Sequence, residues 1–468
     1  MADLRAALTP DRVRDGSLEL SLYGRDASVM RGEAVAACFP TSSDEVAACV
    51  RIARRHGRPF TPRGAGTGLA GGAVPVDRPV VIVTTKMDRI LEVDTEDLVA
   101  WVEPGVVNLD LSRRLAPLGL TFAPDPSSQQ ACSIGGNVAN NSGGPHCLAY
   151  GVTSAHVLAV EVVLPDGEIA ILGGLDPEPA GYDLRGAFVG SEGTLGIATR
   201  IAVRLTPVAP AVVTMLLAFG DVAAAAATVS EVIASAMVPA AMEMMDQRIT
   251  IAVEDYVHAG YPTDAGAVLL VELDGLPAGV EVERAQVEAI AWRRGASMVR
   301  AASDEAERAL LWKGRKSAFG AVARIRPNYY LHDTVVPRSR LVEVLAEVYA
   351  IADRHELLVM NVFHAGDGNL HPLLLFDARE PGVMNRVHAA GEEIVKASLA
   401  AGGVLSGEHG IGLEKRDLMS LQFAPDDLDA QARLRDAFDP DGVANPTKVL
   451  PAGSRCGDLQ HVPDGLWV

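Results

Sequence analysis

Residues 62–75 read PRGAGTGLAGGAVP. Within them Gly66-Thr67-Gly68-Leu69-Ala70-Gly71 has the spacing G-x-G-x-x-G, the mark of a dinucleotide-binding turn that opens a helix. That reading needs the helix, because its first amides hold the pyrophosphate. Pro75 and Pro79 follow instead, and proline inside a helix removes a donor and clashes with the turn before it. A Rossmann unit does not fit. A Walker loop fails as well, since no Gly-Lys-Ser/Thr follows. Two readings remain: a loop whose amides ring an anion, with Arg63 and Thr67 as further donors, or a sharp surface turn.

Two further small-residue clusters weigh on that choice. Residues 124–151 read PDPSSQQACSIGGNVANNSGGPHCLAYG, and 190–197 read GSEGTLGI. Three such loops in one region point to a long ligand laid across strand ends. Around them, 41–57 predict one clear helix: Ser42 or Ser43 caps it, Asp44 and Glu45 suit its dipole, and Gly57 ends it. Strands are predicted over 80–85 and 158–164, the latter returning as 168–172 after Pro165-Asp166-Gly167.

The second half alternates helices near 221–236, 280–294, 305–323, 339–355, 383–401 and 427–438 with strands near 212–218, 267–273, 329–336, 358–364 and 370–376. The proline-bearing LTPVAPAV after Arg204 marks a boundary. The Ala-rich run after Phe219, with Asp221, Glu231 and Glu243, reads as a soluble helix.

Composition narrows the class. A chain of 468 residues is too long for one ordinary core and predicts two or three domains. Lys+Arg 41 against Asp+Glu 60 gives a net charge of −19, which argues against nucleic-acid binding. Cys38, Cys49, Cys132, Cys147 and Cys456 contain no Cys-x-x-Cys, which argues against a disulfide framework or an iron–sulfur cluster and for a reducing compartment. The N-terminal MADLRAALTPDRVRDG has no apolar core of a secretory signal, and no stretch of about 20 apolar residues suggests a membrane span.

Residues 361–377 read NVFHAGDGNLHPLLLFD. A turn over 366–369 would pair Ala365 with Leu370 and set His364 directly opposite His371, with Cβ atoms about 5 Å apart. Two imidazoles so placed are either part of a metal site or a hydrogen-bonded structural pair; two ligands alone are too few for tight binding. Residues 404–416, VLSGEHGIGLEKR, offer Glu408 as a third ligand and His409 as a free base. Asp367 reads as a turn residue.

The order PRGAGTGLAGG, SIGGNVANNSGG, GSEGTLGI resembles the FAD-binding domain of the vanillyl-alcohol oxidase type. HAGDGNLH, GEHGIG and ANPTK resemble the C-terminal half of the FAD-linked D-2-hydroxyacid dehydrogenases and oxidases. NYYLHDTVVPRSRL and the late cysteine in GSRCGD are most similar to the branch of the bacterial glycolate oxidase flavin subunit. The resemblance spans about residues 35 to 452. It implies an α+β fold: a two-part PCMH-type FAD-binding domain, then an α+β substrate domain with an antiparallel sheet covered by helices. The implied bounds are an extension over 1–34, the FAD domain over 35–208, a substrate and metal domain over 209–420, and a segment over 421–468 returning to the FAD site.

For the site, the resemblance implies FAD held by Arg63, Gly64, Ala65, Gly66, Thr67, Gly68, Leu69, Pro124, Ser127, Ser133, Gly135, Gly136, Asn140, Gly143, Gly144, Glu192, Gly196 and Ile197, with Asn445 near the flavin ring. The attachment is non-covalent, because residues 64–68 lack the histidine that many members join to the flavin. It implies a divalent metal (zinc, manganese or iron) on His364, His371 and Glu408. His409 is the base, and Arg315, in WKGRKSAF, holds the substrate carboxylate. From the residues alone, Arg315 would face solvent on the 305–323 helix.

The reaction implied is oxidation of a small 2-hydroxy acid, glycolate to glyoxylate and also D-lactate to pyruvate, with hydride passing to flavin N5. Leu331 and Leu373 stand where relatives acting on 2-hydroxyglutarate place polar partners for a second carboxylate. The alternative is a stand-alone D-lactate dehydrogenase with a quinone or cytochrome acceptor. Electrons would pass to iron–sulfur and second flavin-domain partner subunits of a cytoplasmic protein, peripheral at the inner membrane through those partners.

Overall fold

The computed structural model describes residues 1–176 and 181–451. Cys456, in GSRCGD, and the end of the predicted 421–468 segment lie outside the described residues. The described chain forms two units, one of residues 1–143, 152–208 and 408 onward, the other of 144–151 and 209–407.

In the first unit, Ser42 accepts a hydrogen bond from the Glu45 amide and starts helix Ser43–Arg55. Its buried Val46, Val50 and Ala53 pack on the apolar strand residues Phe60, Val80 and Ile82. Gly57, at φ +61, follows the helix in a left-handed conformation that glycine adopts without strain. Strands Ala36–Cys38 and Phe60–Arg63 lie parallel on either side of Val80–Val83, all four of whose residues are buried. Residues 84–86 leave the sheet as a 3₁₀ turn, so the strand predicted to run to 85 ends at Val83. A second, antiparallel sheet runs Ile90–Asp94, Val99–Val102, Ile197–Arg204, Val157–Val163, Ile169–Gly173. The glycine loop leaves at the carboxyl end of Phe60–Arg63 and contains no helix.

The second unit is built on an antiparallel sheet. Its strands run in the order Ala296–Ala301, Ala211–Phe219, Ala267–Gly275, Ala241–Asp246, Leu358–His364, Asn369–Leu370, Thr334–Val335. Met215, Leu217, Met244, Leu269, Val271 and Phe363 bury one face under helices Val222–Ala234, Pro277–Arg293, Leu341–Arg354 and Val383–Ala400. Because strand side chains alternate, the residues between them face the other way, and these include Thr214, Glu243, Glu272 and His364. One face of the sheet is oil; the other carries buried charge.

The hairpin differs from the sequence reading. His364 pairs with Asn369 and Asn361 with Pro372, so the turn is Ala365–Gly368, not 366–369. Gly368 adopts φ +75, and its carbonyl accepts from the Val336 amide. The shift is two residues, an even number, so His371 keeps the face of His364 but lies diagonally from it, not directly across. The predicted 370–376 strand breaks at His371, where the chain changes neighbours. Asn369–Leu370 pairs with Thr334–Val335, whereas Pro372–Phe376 pairs with Asn328–Leu331. The predicted 329–336 strand is divided in the same way, and the 305–323 helix is interrupted at Ser317.

Candidate active site

The first unit supplies a cradle. Arg63 ends its strand with Nη1 donating to the Arg25 carbonyl at 2.6 Å, and burial pushes its guanidinium pKa down. Gly66, at φ +76, lies so close to that guanidinium that a Cβ would sit 2.1 Å from Nη2. Among the described residues, no acceptor takes the amides of residues 65–69. Consecutive unpaired donors in a glycine turn suit a phosphate, so the loop fits a pyrophosphate-bearing cofactor.

The remaining predicted cofactor residues fall into distinct places. Ser133 caps helix Ile134–Asn140 by accepting from the Gly136 amide at 3.3 Å. Gly64, Gly135 and Gly196 allow close packing. An added Cβ would meet Ser133 Oγ at 2.5 Å, the Pro104 carbonyl oxygen at 2.9 Å and the Val163 carbonyl oxygen at 2.7 Å, respectively. Pro124 is buried and its carbonyl accepts from Asn108, whereas Ser127 is exposed. Gly143 is the last first-unit residue before the 144–151 segment, and Gly144 opens that segment. The Ile197 side chain lies in the hydrophobic core, which leaves only its backbone to offer a ligand.

Asn445 is buried in a left-handed conformation, φ +40. Its Nδ2 donates to the carbonyls of Gly72 (2.9 Å) and Glu192 (2.7 Å), while its Oδ1 is buried with no partner. An orphaned amide oxygen is unusual in a folded interior and fits a site that a ligand completes. Glu408 and His409 sit in the same unit, each side chain largely buried, with His409 Nε2 3.8 Å from a Glu408 carboxylate oxygen.

The second unit holds the histidine pair. His364 and His371 rings lie 5.0 Å apart, nearly perpendicular at 86°. His364 Nδ1 is 2.6 Å from Glu243 Oε1, and a proton on Nδ1 shared with that carboxylate puts the ring's lone pair on Nε2, the tautomer of a metal-binding imidazole. His371 Nδ1 is 3.9 Å from Asp333 Oδ1. The other Asp333 oxygen accepts from Ser406 Oγ (2.5 Å) and the Gly407 amide (3.0 Å). The paired imidazoles, with the Glu243 carboxylate behind His364, would suit two of the ligands of a divalent cation on this face.

Glu243 is the residue that sequence reasoning missed. It is not on a helix: it lies in strand Ala241–Asp246, directly opposite His364, and its side chain is fully buried. Its second oxygen is 2.5 Å from Arg315 Nη2. Arg315 is itself 2% exposed, not solvent-facing, and its Nε is buried without an acceptor. The signal available in the sequence was Glu243 flanked by methionines in AMEMMD, where an alternating strand would put Met242 and Met244 on one face and Glu243 on the other.

One strand away stands a second buried carboxylate. Glu272 accepts from Thr214 Oγ1 and from Trp312 Nε1 (2.5 Å), with His146 Nε2 at 3.1 Å and Arg308 Nη1 at 3.4 Å. Arg308 and Arg315 come from the same helix, Glu305–Lys316, two turns apart and so on one face. Burial raises the Glu272 pKa, but His146 and the other donors outweigh it, and the net displacement is downward.

A glycine loop that fits a phosphate and a buried histidine pair, one member of which is held by a carboxylate, suit a flavin-dependent oxidoreductase. Residues 208–449 match the FAD linked oxidases, C-terminal domain, and residues 34–173 match the FAD binding domain. The chain belongs to the FAD linked oxidases, and FAD is its cofactor. It is 44% identical over 440 residues to the glycolate oxidase subunit GlcD of Escherichia coli strain K12, covering 94% of this chain and 88% of that protein. It is 33% identical over 457 residues to the probable mitochondrial D-lactate dehydrogenase of Danio rerio, covering 96% and 91%. In fold it resembles p-cresol methylhydroxylase with substrate bound, at a TM-score of 0.81 and 19% identity over 96% of this chain and 95% of that one. No helix among the described residues is long and apolar enough to cross a membrane.

Proposed function

We propose that this protein oxidises a small 2-hydroxy acid, glycolate or D-lactate, to the 2-oxo acid with non-covalently bound FAD. The observation that carries the reading is Arg315: a buried guanidinium that Glu243 engages through Nη2 while Nε donates to nothing. A buried unpaired N–H is costly, and a planar carboxylate is the ligand that matches an arginine fork. FAD supplies a hydride acceptor when bound; a divalent cation, for which the family resemblance offers His364, His371 and Glu408 as ligands, would supply a Lewis acid for the substrate hydroxyl.

The chain's own groups have separable roles. Arg315 orients the substrate through its carboxylate. Glu243 holds Arg315 and keeps the His364 proton on Nδ1. His409 takes the hydroxyl proton at its imidazole. Leu331 and Leu373 are direct cross-strand neighbours and both buried, which supports a substrate without a second carboxylate. The relative named as a glycolate oxidase subunit supports electron transfer to partner chains, which we place as iron–sulfur and second flavin-domain subunits at a membrane's inner face. The Danio rerio relative favours the second reading, a stand-alone D-lactate dehydrogenase.

Anaerobic titration of the FAD-loaded protein with glycolate, D-lactate, L-lactate and 2-hydroxyglutarate tests the proposal. Flavin absorbance should bleach with glycolate or D-lactate and stay unchanged with 2-hydroxyglutarate. His409→Asn should slow bleaching about 1000-fold with FAD still bound. Bleaching by none of the four acids would reject the reaction.

A further inference from the structure

We infer that Glu192 and Asn140, both matched by resemblance to cofactor binding, are positioning residues that hold the loop carrying His409. Both lie in the first unit with that loop. Glu192 is buried, and its Oε1 accepts from the amides of Ile411 (2.7 Å) and Gly412 (3.1 Å). Asn140 Nδ2 donates to the His409 carbonyl at 2.9 Å. The base is thus gripped at its own carbonyl and at the amides two and three residues beyond.

The loop is shaped to receive those groups. Gly410 has φ +86, and a Cβ there would stand 2.7 Å from Glu192 Oε1 and 3.6 Å from Asn140 Nδ2. Gly412 has φ +52 and would drive a Cβ to 2.0 Å from the Ala70 carbonyl oxygen. That carbonyl accepts the amides of Leu413 and Glu414, so the end of the glycine loop ties down the far side.

Glu192 is itself held in place. It is a non-glycine residue at φ +53, a conformation that persists only when its surroundings enforce it. Its amide donates to the Ala139 carbonyl at 2.8 Å, one residue before Asn140, and its carbonyl accepts from Asn445 Nδ2 at 2.7 Å. One short network therefore joins Asn140, Glu192 and Asn445 to the segment 409–412. A residue given only to cofactor binding would have no reason to spend its carboxylate oxygen on two amides of that segment. The GEHGIG glycines thereby gain a function: they let a carboxylate and a carboxamide reach the loop backbone.

The claim that the network sets the rate rests on the proposed role of His409; the claim that it holds the loop does not. Glu192→Ala, loaded with FAD, should lower the anaerobic flavin-reduction rate about 10- to 100-fold while KM for glycolate or D-lactate moves less than about threefold. Glu192→Gln, whose amide oxygen can accept the same two N–H groups, should recover most of that loss. Hydrogen exchange of the peptide covering 409–414 should accelerate about tenfold in Glu192→Ala relative to wild type. If Glu192→Ala does not load FAD, Asn140→Ala serves for both measurements with the same expectations. Unchanged exchange, or a Glu192→Gln as slow as Glu192→Ala, would overturn the inference. Wild-type protein that no 2-hydroxy acid reduces would reject the function, while the exchange experiment would still decide the positioning.

Discussion

Glu243 and Glu272 stand on adjacent strands of one sheet, on the same charged face, each buried and each set between a histidine and an arginine of helix Glu305–Lys316. They differ in how completely their neighbours are used. Glu272 is served by Thr214, Trp312, His146 and Arg308. Arg308 is tied again to Glu305 by two bonds of 2.8 Å, and its pKa is raised chiefly by that contact. Around Glu243 the arginine has spare capacity, because Arg315 Nε is buried with no hydrogen-bond partner. Saturated polar clusters fix a structure; an unsaturated one is poised to bind. The same residue types on the same helix thus differ in how far their donors are satisfied, as the proposed carboxylate-binding role of Arg315 requires.

Four substitutions probe that contrast. Arg315→Lys keeps the charge but loses the planar fork, and should lower kcat/KM for the acid substrate about 100-fold, measured by stopped-flow flavin reduction. Glu243→Gln leaves the His364 tautomer unspecified and should weaken metal affinity or turnover between about 10- and 100-fold, read by metal analysis beside the rate. Leu373→Asn, opposite Leu331, should raise kcat/KM for 2-hydroxyglutarate relative to glycolate by about tenfold, since a polar group could then meet the distal carboxylate.

Glu272→Gln should touch activity least. It should cost about 2 kcal/mol of stability at neutral pH, read by denaturant unfolding of the FAD-loaded protein. Because the folded pKa of Glu272 lies below its ordinary 4.5, its contribution is present above that value and is lost as pH falls through the folded pKa. The stability gap between wild type and Glu272→Gln should therefore close on acidification below about pH 4.5. A gap that stays constant down to pH 3 would show that the carboxylate's charge is not what holds the cluster.

Local signals carried much of the fold. The helix at Ser43–Arg55 was legible because Ser42, Glu45 and Gly57 sit at positions where capping chemistry acts within a few residues. The long helices and strands of the second half were legible through their periodicity. Ala241–Asp246, Gln247–Val257 and Ala296–Ala301 were not, because AMEMMD is too short and too apolar to separate strand from helix on pattern alone. The hairpin register was missed by two residues, since the turn over Ala365–Gly368 is fixed partly by the distant Val336 amide on Gly368. The burial of Arg315 depends on Glu243, 72 positions earlier, and no local rule connects them. Glu192 and Asn140 sat in motifs that spoke of a cofactor, and only the fold revealed their bonds to the 409–412 loop.

Arg315 is the proposed carboxylate-binding group and Glu272 its structural counterpart. Steady-state kinetics on FAD-loaded Arg315→Lys and Glu272→Gln, with glycolate and D-lactate, compares them directly. Arg315→Lys should show a KM raised at least about tenfold and a lowered kcat, against constants within about threefold of wild type for Glu272→Gln. Equal kinetic losses in the two variants, or a wild-type KM in Arg315→Lys, would contradict that division of roles.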